Sequence, residues 1–583
     1  MTRPTRRGVV TRPPPTFVRR RRLGVVLATI VLASLGLAVR LAFVQLVDGA
    51  RYAAYEKGEV DQKVVLPATR GTIYDSGGDV LAVSVPRSNL IADDFQITKP
   101  VTEARTLAPL LGVSVKSLAS ELSERNGYVV LARGLGDAEV ARLEVRDLPG
   151  LTFAADSVRK MTGGDDFQPL LGGVNAAGVG NAGIEGADNT LLAGKAGSEL
   201  IALAPGGYSL PAEPAHVRAA RAGEGLVLTI DEPLQVEVVK DLTAQMVSTQ
   251  ARRGIAVVMD VHSGAILAMV DLVAGPHGSI EPAASNLAAT TVYQPGSVMK
   301  LATVMAALQA GLISPSTVLT VPYSLDLGGY VFRDAEDHPT EQLTVAQILA
   351  HSSNIGTIEI AQRLGLTRLA AGLSALGFGH LTGLGWPGES AGIVGSPATW
   401  FGSAAAAVPI GTGVAVTPLQ VLDAYNTIAN GGVFVAPRLV AGTVGSGGGE
   451  HLLAVRSGVR TVATATVAEL VPMLRGVVQD GTAVLANIPG YTVAGKTGTA
   501  QVPQLTGPGY VPGDWNATFV GFVPAQSPQL SAIVVLNHPT PIYGGTVSAP
   551  VFSQIMRYAL RRFDIPSAPG AALTASAGSG PRT

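Results

Sequence analysis

Hydrophobic and polar positions divide the chain into a few clear zones. Leu23 to Val39 is an unbroken apolar run, Arg40 interrupts it, and Leu41 to Val47 carries a single Gln. A helix over this stretch is long enough to cross a hydrocarbon layer of about 30 Å, and no later stretch is long and apolar enough to re-cross. Arg51 to Glu59 reads as a short helix continuing outward. Two β-like runs flank the turn Asp75-Ser-Gly-Gly78 and predict a hairpin. Residues 102–147 alternate helical and short strand patterns, and residues 161–188, rich in Gly, Asn and Asp, read as loops. Leu226 to Ile230 reads as a strand ended by Asp231-Glu-Pro233. Helix and strand signals then alternate to about Phe563, with Gly442–Gly449 as a loop tip and a tail from Ile565 with the composition of disorder. The expected division is a basic cytoplasmic tail (1–22), an anchor (23–47), a mixed α/β region (48–222), a larger α/β region (223–563) and a disordered tail (564–583).

Charge placement orients the first of these zones. Arg3, Arg6, Arg7, Arg12 and Arg19 to Arg22 precede the apolar run, and no Asp or Glu occurs before Asp48. This asymmetry puts the N-terminus in the cytoplasm and everything after Asp48 outside. A cleaved signal peptide would need a small-x-small site soon after the run, and none follows closely. The flanking arginines also argue against a buried core helix. Over all 583 residues the formal net charge is −1, so the overall balance does not point to nucleic acid as a partner. The absence of cysteine excludes disulfides, thiolate catalysis and cysteine-bound metal. No cofactor or metal is expected.

Three motifs invite readings that their contexts reject. Gly490-x4-Gly495-Lys-Thr497 spells a phosphate-binding loop, but Ile488-Pro489 precedes it, Pro503 to Gly509 breaks any following helix, and Tyr491 to Ala494 itself looks like a strand. The expected form is a strand presenting Lys496 and Thr497 at the edge of a cleft. Gly388-Glu-Ser390-Ala-Gly392 mimics a nucleophile elbow, yet it lies between prolines in a surface loop. Gly178-Val-Gly-Asn-Ala-Gly183 lacks the βαβ unit of a dinucleotide site and reads as a connection.

A fourth motif has its context. Pro295-Gly296-Ser297-Val-Met-Lys300 runs into the apolar helical pattern Leu301 to Leu308. Pro-Gly before that helix places Ser297 at its first turn. Ser and Lys three apart share a helix face, with Cβ atoms about 5–6 Å apart. That spacing suits a lysine amine taking a proton from a serine hydroxyl, with the helix N-terminus beside the developing oxyanion. Alone, Ser-x-x-Lys is weak; a second copy, Ser157-Val-Arg-Lys160, leads into no apolar helix. The first copy is followed by Ser352-Ser-Asn354 between two helical patterns and by Lys496-Thr-Gly-Thr499. Ser-x-x-Lys, Ser-x-Asn and Lys-Thr-Gly in this order are the signature of penicillin-interacting enzymes.

With these motifs the chain resembles a class B penicillin-binding protein. The resemblance extends to Arg70-Gly-Thr-Ile-Tyr-Asp75, Gly183-Ile-Glu185, Leu228-Thr-Ile-Asp231, Gly413 to Gln420 and Tyr543 to Pro550. Trp386-Pro-Gly-Glu-Ser-Ala-Gly392 is similar to the loop of the division-specific, septal branch known as penicillin-binding protein 3, in its actinobacterial form. Ser76-Gly77 and the stretch Asp271 to Ser285 depart from the family pattern, and neither removes a catalytic group.

The resemblance implies an α/β (α+β) protein with one N-terminal transmembrane helix. A mixed pedestal (dimerisation) domain then precedes a serine β-lactamase-like transpeptidase domain, whose antiparallel sheet is flanked by helices. It also implies peptidoglycan cross-linking, with Ser297 as nucleophile attacking the penultimate D-Ala carbonyl of a stem pentapeptide and Lys300 as a base kept neutral by burial and by Lys496. Ser352 would relay a proton, and Asn354 would hold Lys300 and the substrate amide. Lys496, Thr497, Gly498 and Thr499 form the substrate-binding strand, and the N–H groups of Ser297 and Thr499 form the oxyanion hole. β-Lactams would acylate Ser297. Expected partners are a membrane-embedded glycosyltransferase and divisome proteins. An elongation role, a D,D-carboxypeptidase activity and a β-lactam-binding scaffold role are the alternatives. Ser352 as a mere helix cap and Thr499 as mere packing are the structural ones, and His351 is given no role.

Overall fold

The computed structural model describes residues 16–48, 61–124, 129–144, 146, 148–202, 217–504, 506–507 and 509–567. The expected helix Arg51–Glu59 and nearly all of the C-terminal tail lie outside them. The chain forms two compact units. One comprises residues up to Leu66, Ser88–Ala155 and Ala196–Ala219, and the other Pro67–Arg87, Asp156–Lys195 and Ala220 onward. The two segments before residue 222 that cluster with the large unit are held there by buried side chains such as Ile73, Phe167 and Ile184, which a linear boundary cannot express.

The smaller unit carries the N-terminal helix, Thr16–Leu46. It is long and apolar enough to cross a membrane over Arg21–Leu46, and its apolar side chains from Leu23 to Phe43 are exposed. No other helix among the described residues has this length and hydropathy. The unit also holds a three-stranded sheet of Asp61–Leu66, Gly197–Ala202 and Val217–Arg218. A separate small core gathers Leu90, Ile97, Leu107, Leu118, Leu131 and Leu143.

β1 (Ile73–Tyr74) and β2 (Val80–Ala92) form the expected hairpin, with Ile73 opposite Ala82; its turn belongs to the larger unit, and β2 passes into the smaller one from Ser88. β3 (Gly225–Leu228) lies parallel to β1, and Asp231 caps the helix α1 (Glu232–Thr249) by accepting from Leu234 N at 3.0 Å. Residues 161–188, expected as loops, contain short helices at Gln168–Leu171 and Gly183–Ala187. Leu170, Leu171 and Ile184 are apolar anchors in that glycine-rich stretch and are buried in the main core.

The main sheet is built from β4 (Arg253–Asp260), β5 (Ile266–Ala274), β6 (Ile280–Pro282), β8 (Ala494–Pro503), β9 (Tyr510–Val523) and β10 (Leu530–Asn537). Its order is β6-β5-β4-β10-β9-β8, and every pair is antiparallel. β4, β10 and the second half of β9, from Phe519 to Val523, are apolar on both faces, as buried central strands are. β7 (Val440–Val444) pairs with β3 instead. The helices that position the site are α2 (Leu287–Thr290), α3 (Lys300–Gln309), α4 (Val345–Ala350), α5 (Asn354–Leu364), α6 (Pro418–Ala429), α7 (Thr464–Gln479) and α8 (Gly544–Arg562). α8 packs on the sheet through Phe552, edge-to-face on Phe519 at 4.8 Å between centroids. β8 starts at Ala494 and not at Tyr491, whose N–H donates back to Ile488 O at 3.0 Å in a local turn.

Candidate active site

Ser297 sits in a 3-10 turn, Gly296–Met299, that tightens into α3 at Lys300. The turn is fixed from three sides. Gly296 N donates to Gly411 O at 3.1 Å, the Tyr425 hydroxyl donates to Val298 O at 2.9 Å, and Thr303 Oγ1 donates to Pro409 O at 2.9 Å. Gly296 has φ +59°, and a Cβ there would stand 3.0 Å from Thr499 O, so glycine is required by conformation and by space. Ser297 is half-buried, and its hydroxyl has no hydrogen-bond partner among the described residues.

Lys300 is fully buried. Its Nζ donates to the Ser352 carbonyl, and to Ser352 Oγ at 3.2 Å. Ser352 reaches it from a left-handed backbone conformation, φ +61°, uncommon for a residue with a Cβ. Burial pushes the Lys300 amine down to about 7, against the opposing pull of the Asp334 carboxylate. Lys496, also fully buried, is pushed well below the usual lysine range, first by burial and then by repulsion from Lys300. Burial is thus the dominant cause at both lysines, and repulsion between the two amines adds to the depression of Lys496.

The Ser352-Ser353-Asn354 segment joins α4 and α5 as expected. The capping residue is Ser353, whose Oγ accepts from Gly356 N at 2.9 Å, which leaves the Ser352 hydroxyl free of that duty. Asp334 organises the segment. It accepts from Ser353 Oγ at 2.8 Å, from Asn354 N, from Ile355 N at 3.0 Å, and from His338 Nε2 at 3.1 Å. The Asn354 side chain donates to Arg333 O at 2.7 Å rather than meeting Lys300. Neither Asp334 nor His338 stood out in the sequence, since nothing local links them to residues some twenty positions later.

β8 is an edge strand carrying Lys496-Thr-Gly-Thr499, with Lys496 opposite Val520 and Thr499 opposite Ala517. No helix opens at Lys496, so the phosphate-loop spelling is empty. Lys496 Nζ donates to Thr497 O and Oγ1, each at 3.3 Å, and Thr497 Oγ1 lies 2.7 Å from Thr482 Oγ1. Thr499 Oγ1 accepts from Gly544 N at 3.2 Å. A Cβ on Gly498 would stand 2.6 Å from Pro295 O, so only glycine lets β8 close on the nucleophile's turn. In an antiparallel strand the N–H and C=O of one residue face the same side. Thr499 O faces Gly296, so Thr499 N–H faces it too.

Residues 254–557 match the family described as the penicillin binding protein transpeptidase domain, and residues 65–228 match the penicillin-binding protein dimerisation domain. The chain belongs to the class B penicillin-binding proteins. It is 32% identical to the penicillin-binding protein PbpB of Mycobacterium tuberculosis, over 95% of this chain and 86% of that one. It is also 32% identical to the peptidoglycan D,D-transpeptidase FtsI of Escherichia coli K12, over 85% and 84%. Among solved structures, a peptidoglycan synthetase from Bifidobacterium adolescentis superposes with TM-score 0.72 at 27% identity, covering 90% of this chain and 98% of that one. Penicillin-binding protein 3 from M. tuberculosis, complexed with aztreonam, superposes with TM-score 0.68 at 28% identity, covering 88% and 100%.

In this penicillin-binding protein the Ser297 turn, Lys300, Ser352 and β8 therefore converge on one cleft of the larger unit. The competing motifs do not. Ser157 and Lys160 lie on the strand Leu151–Met161, where Arg159 instead pairs with the fully buried Glu185 at 2.5 Å. Glu185 also takes Arg70 at 2.5 Å. Ser390 donates its N–H to Ala289 O and its Oγ accepts from Gly392 N, as a loop residue would.

Proposed function

We propose that this chain is a serine-type peptidoglycan D,D-transpeptidase of septal wall synthesis, anchored by residues 23–47 with its N-terminus cytoplasmic and its catalytic domain outside. The observation that carries the reading is a fully buried lysine amine, bonded to Ser352 and one helical turn from an unpartnered serine hydroxyl.

In the proposed reaction Ser297 Oγ attacks the penultimate D-Ala carbonyl carbon of a stem pentapeptide, and its proton passes to neutral Lys300. The N–H groups of Ser297 and Thr499 hold the oxyanion. The C–N bond breaks as Ser352 relays a proton from Lys300 to the departing D-Ala amine. An amine of a neighbouring stem peptide then attacks the acyl-serine, losing a proton to the same base and restoring Ser297. Lys496, with Thr497, Gly498 and Thr499, takes the substrate carboxylate, whose charge restores the protonated form of Lys496. Asn354, held by Arg333 O in the free protein, turns to the substrate amide. A β-lactam acylates Ser297 by the same route, its ring amide opening in place of the peptide bond. The dimerisation region has no polymerising role, so glycan strands come from a membrane-embedded glycosyltransferase among the divisome partners.

Labelled penicillin should attach covalently at Ser297, and Ser297→Ala protein should remain unlabelled. Labelling of that variant at the wild-type rate would remove the assignment. Protease added to wall-stripped cells should digest the region after Asp48, and full protection would reverse the topology. Depletion should give filaments if the role is septal, and round cells would transfer it to elongation.

A further inference from the structure

The larger unit contains a cavity of about 310 Å³ that shares no wall with the cleft just described. It is lined by the end of the short helix Gly183–Ala187, the loop Gly383–Trp386, the segment Ala436–Val440 and the segment Leu453–Arg456. Ile184, Leu439 and Trp386, all buried, give it apolar walls. Three charged side chains also line it, Asp188 and Arg438 half-buried and Arg456 exposed, and none has an ion-pair partner among the described residues. Asp188 has no side-chain hydrogen bond, and burial alone raises its carboxyl above the usual range. The Arg438 guanidinium makes no hydrogen bond, and its Nε is buried without a partner. Arg456 donates only to Gly383 O at 3.3 Å. The Arg438 backbone is held in place, its N–H donating to Gly264 O at 2.9 Å and its carbonyl accepting from Ile266 N at 3.0 Å.

Opposite charges left unpaired in one partly buried cavity are unfavourable unless each finds a counter-charge. Joining each other would be the simplest solution, and no ion pair links Asp188 to either arginine. One ligand with an amine at one end and a carboxylate at the other satisfies both groups, and the apolar walls ask for an apolar middle. The volume sits at the lower end of small-molecule sites.

We propose that this cavity is a binding site for a short zwitterionic peptide, its amine on Asp188, its carboxylate on Arg438 and an apolar side chain against Trp386. The site is independent of the serine chemistry, so the probe should not resemble D-Ala-D-Ala. The tripeptide L-Ala-L-Leu-L-Ala should bind the detergent-solubilised full chain saturably by calorimetry and change tryptophan emission, and Trp386→Phe should remove the emission change. N-acetylation or C-amidation should each weaken binding about tenfold or more, as loss of a charge-assisted hydrogen bond does. Asp188→Asn should weaken the free tripeptide without further weakening the N-acetylated one, and Arg438→Gln should show the same pattern with the amidated one. Both variants should keep wild-type acylation by penicillin, which reports that they fold. Failure of the tripeptide to bind, equal binding of the blocked peptides, or unchanged affinity in both variants would overturn the proposal; if a variant fails to fold, the blocked peptides on the wild-type chain decide.

Discussion

The protonation state of Lys300 makes a quantitative demand on the acylation rate. If Lys300 is the base, only its neutral form accepts the Ser297 proton. With the amine at about 7, the neutral fraction is roughly nine-tenths at pH 8 and one-tenth at pH 6. The acylation rate at saturating penicillin should therefore fall about tenfold between those values, along a single-proton limb centred near 7. Saturation matters, because Lys496 also titrates and would otherwise mix carboxylate binding into the profile. Asp334 holds the limb up by favouring the charged amine. Asp334→Asn keeps an acceptor for the N–H groups of Asn354 and Ile355 but removes the charge, so the limb should move to lower pH. Stopped-flow labelling with a fluorescent penicillin, whose carboxylate stays ionised throughout, reads both effects. A rate independent of pH between 6 and 8, or a limb that moves upward in Asp334→Asn, would refute the reasoning.

Other consequences are structural. Buried Asp271 is raised from 3.8 to about 7, mainly by burial. The folded protein then binds more protons than the unfolded chain between those values, so this group costs stability as pH rises from 4 to 7, up to about 4 kcal/mol. Asp271→Asn keeps an acceptor for Ala288 N and should raise Tm at pH 8 but not at pH 4, by calorimetry. Glu185→Ala leaves the Arg70 and Arg159 guanidinium groups buried without their anion, and urea unfolding should show a loss of about 3–5 kcal/mol. Gly498→Ala drives a methyl into Pro295 O and Val298 Cγ1, so penicillin acylation should fall more than tenfold even in material whose Tm is close to wild type. Lys496→Ala should weaken capture of carboxylate-bearing β-lactams by about 10–100-fold, read in the concentration dependence of acylation.

Much of this protein was legible before any fold was known, for a local reason. An apolar run behind an arginine cluster defines a candidate span through length and charge alone. A Ser and a Lys three positions apart must share a helix face wherever the helix goes. Pro503 and the turn residues after it were enough to reject a phosphate loop and leave a strand at Lys496. Ser352 and Asn354 carried weight only through the order of the three motifs.

What the tertiary structure decided concerns groups brought together across long separations. Asp334 precedes Ser353 by nineteen residues, and no periodicity announces that its carboxylate will hold three donors of that segment. Whether Ser352 or Ser353 caps α5 depends on one left-handed residue, which the sequence Ser-Ser leaves open. The depression of Lys300 is a property of enclosure, since the same amine at the start of an exposed helix would stay charged at neutral pH. Strands before residue 222 join the larger unit because their apolar side chains find its core. Sequence fixes which groups carry chemistry, whereas their charge state and partners follow from which distant surfaces exclude water around them.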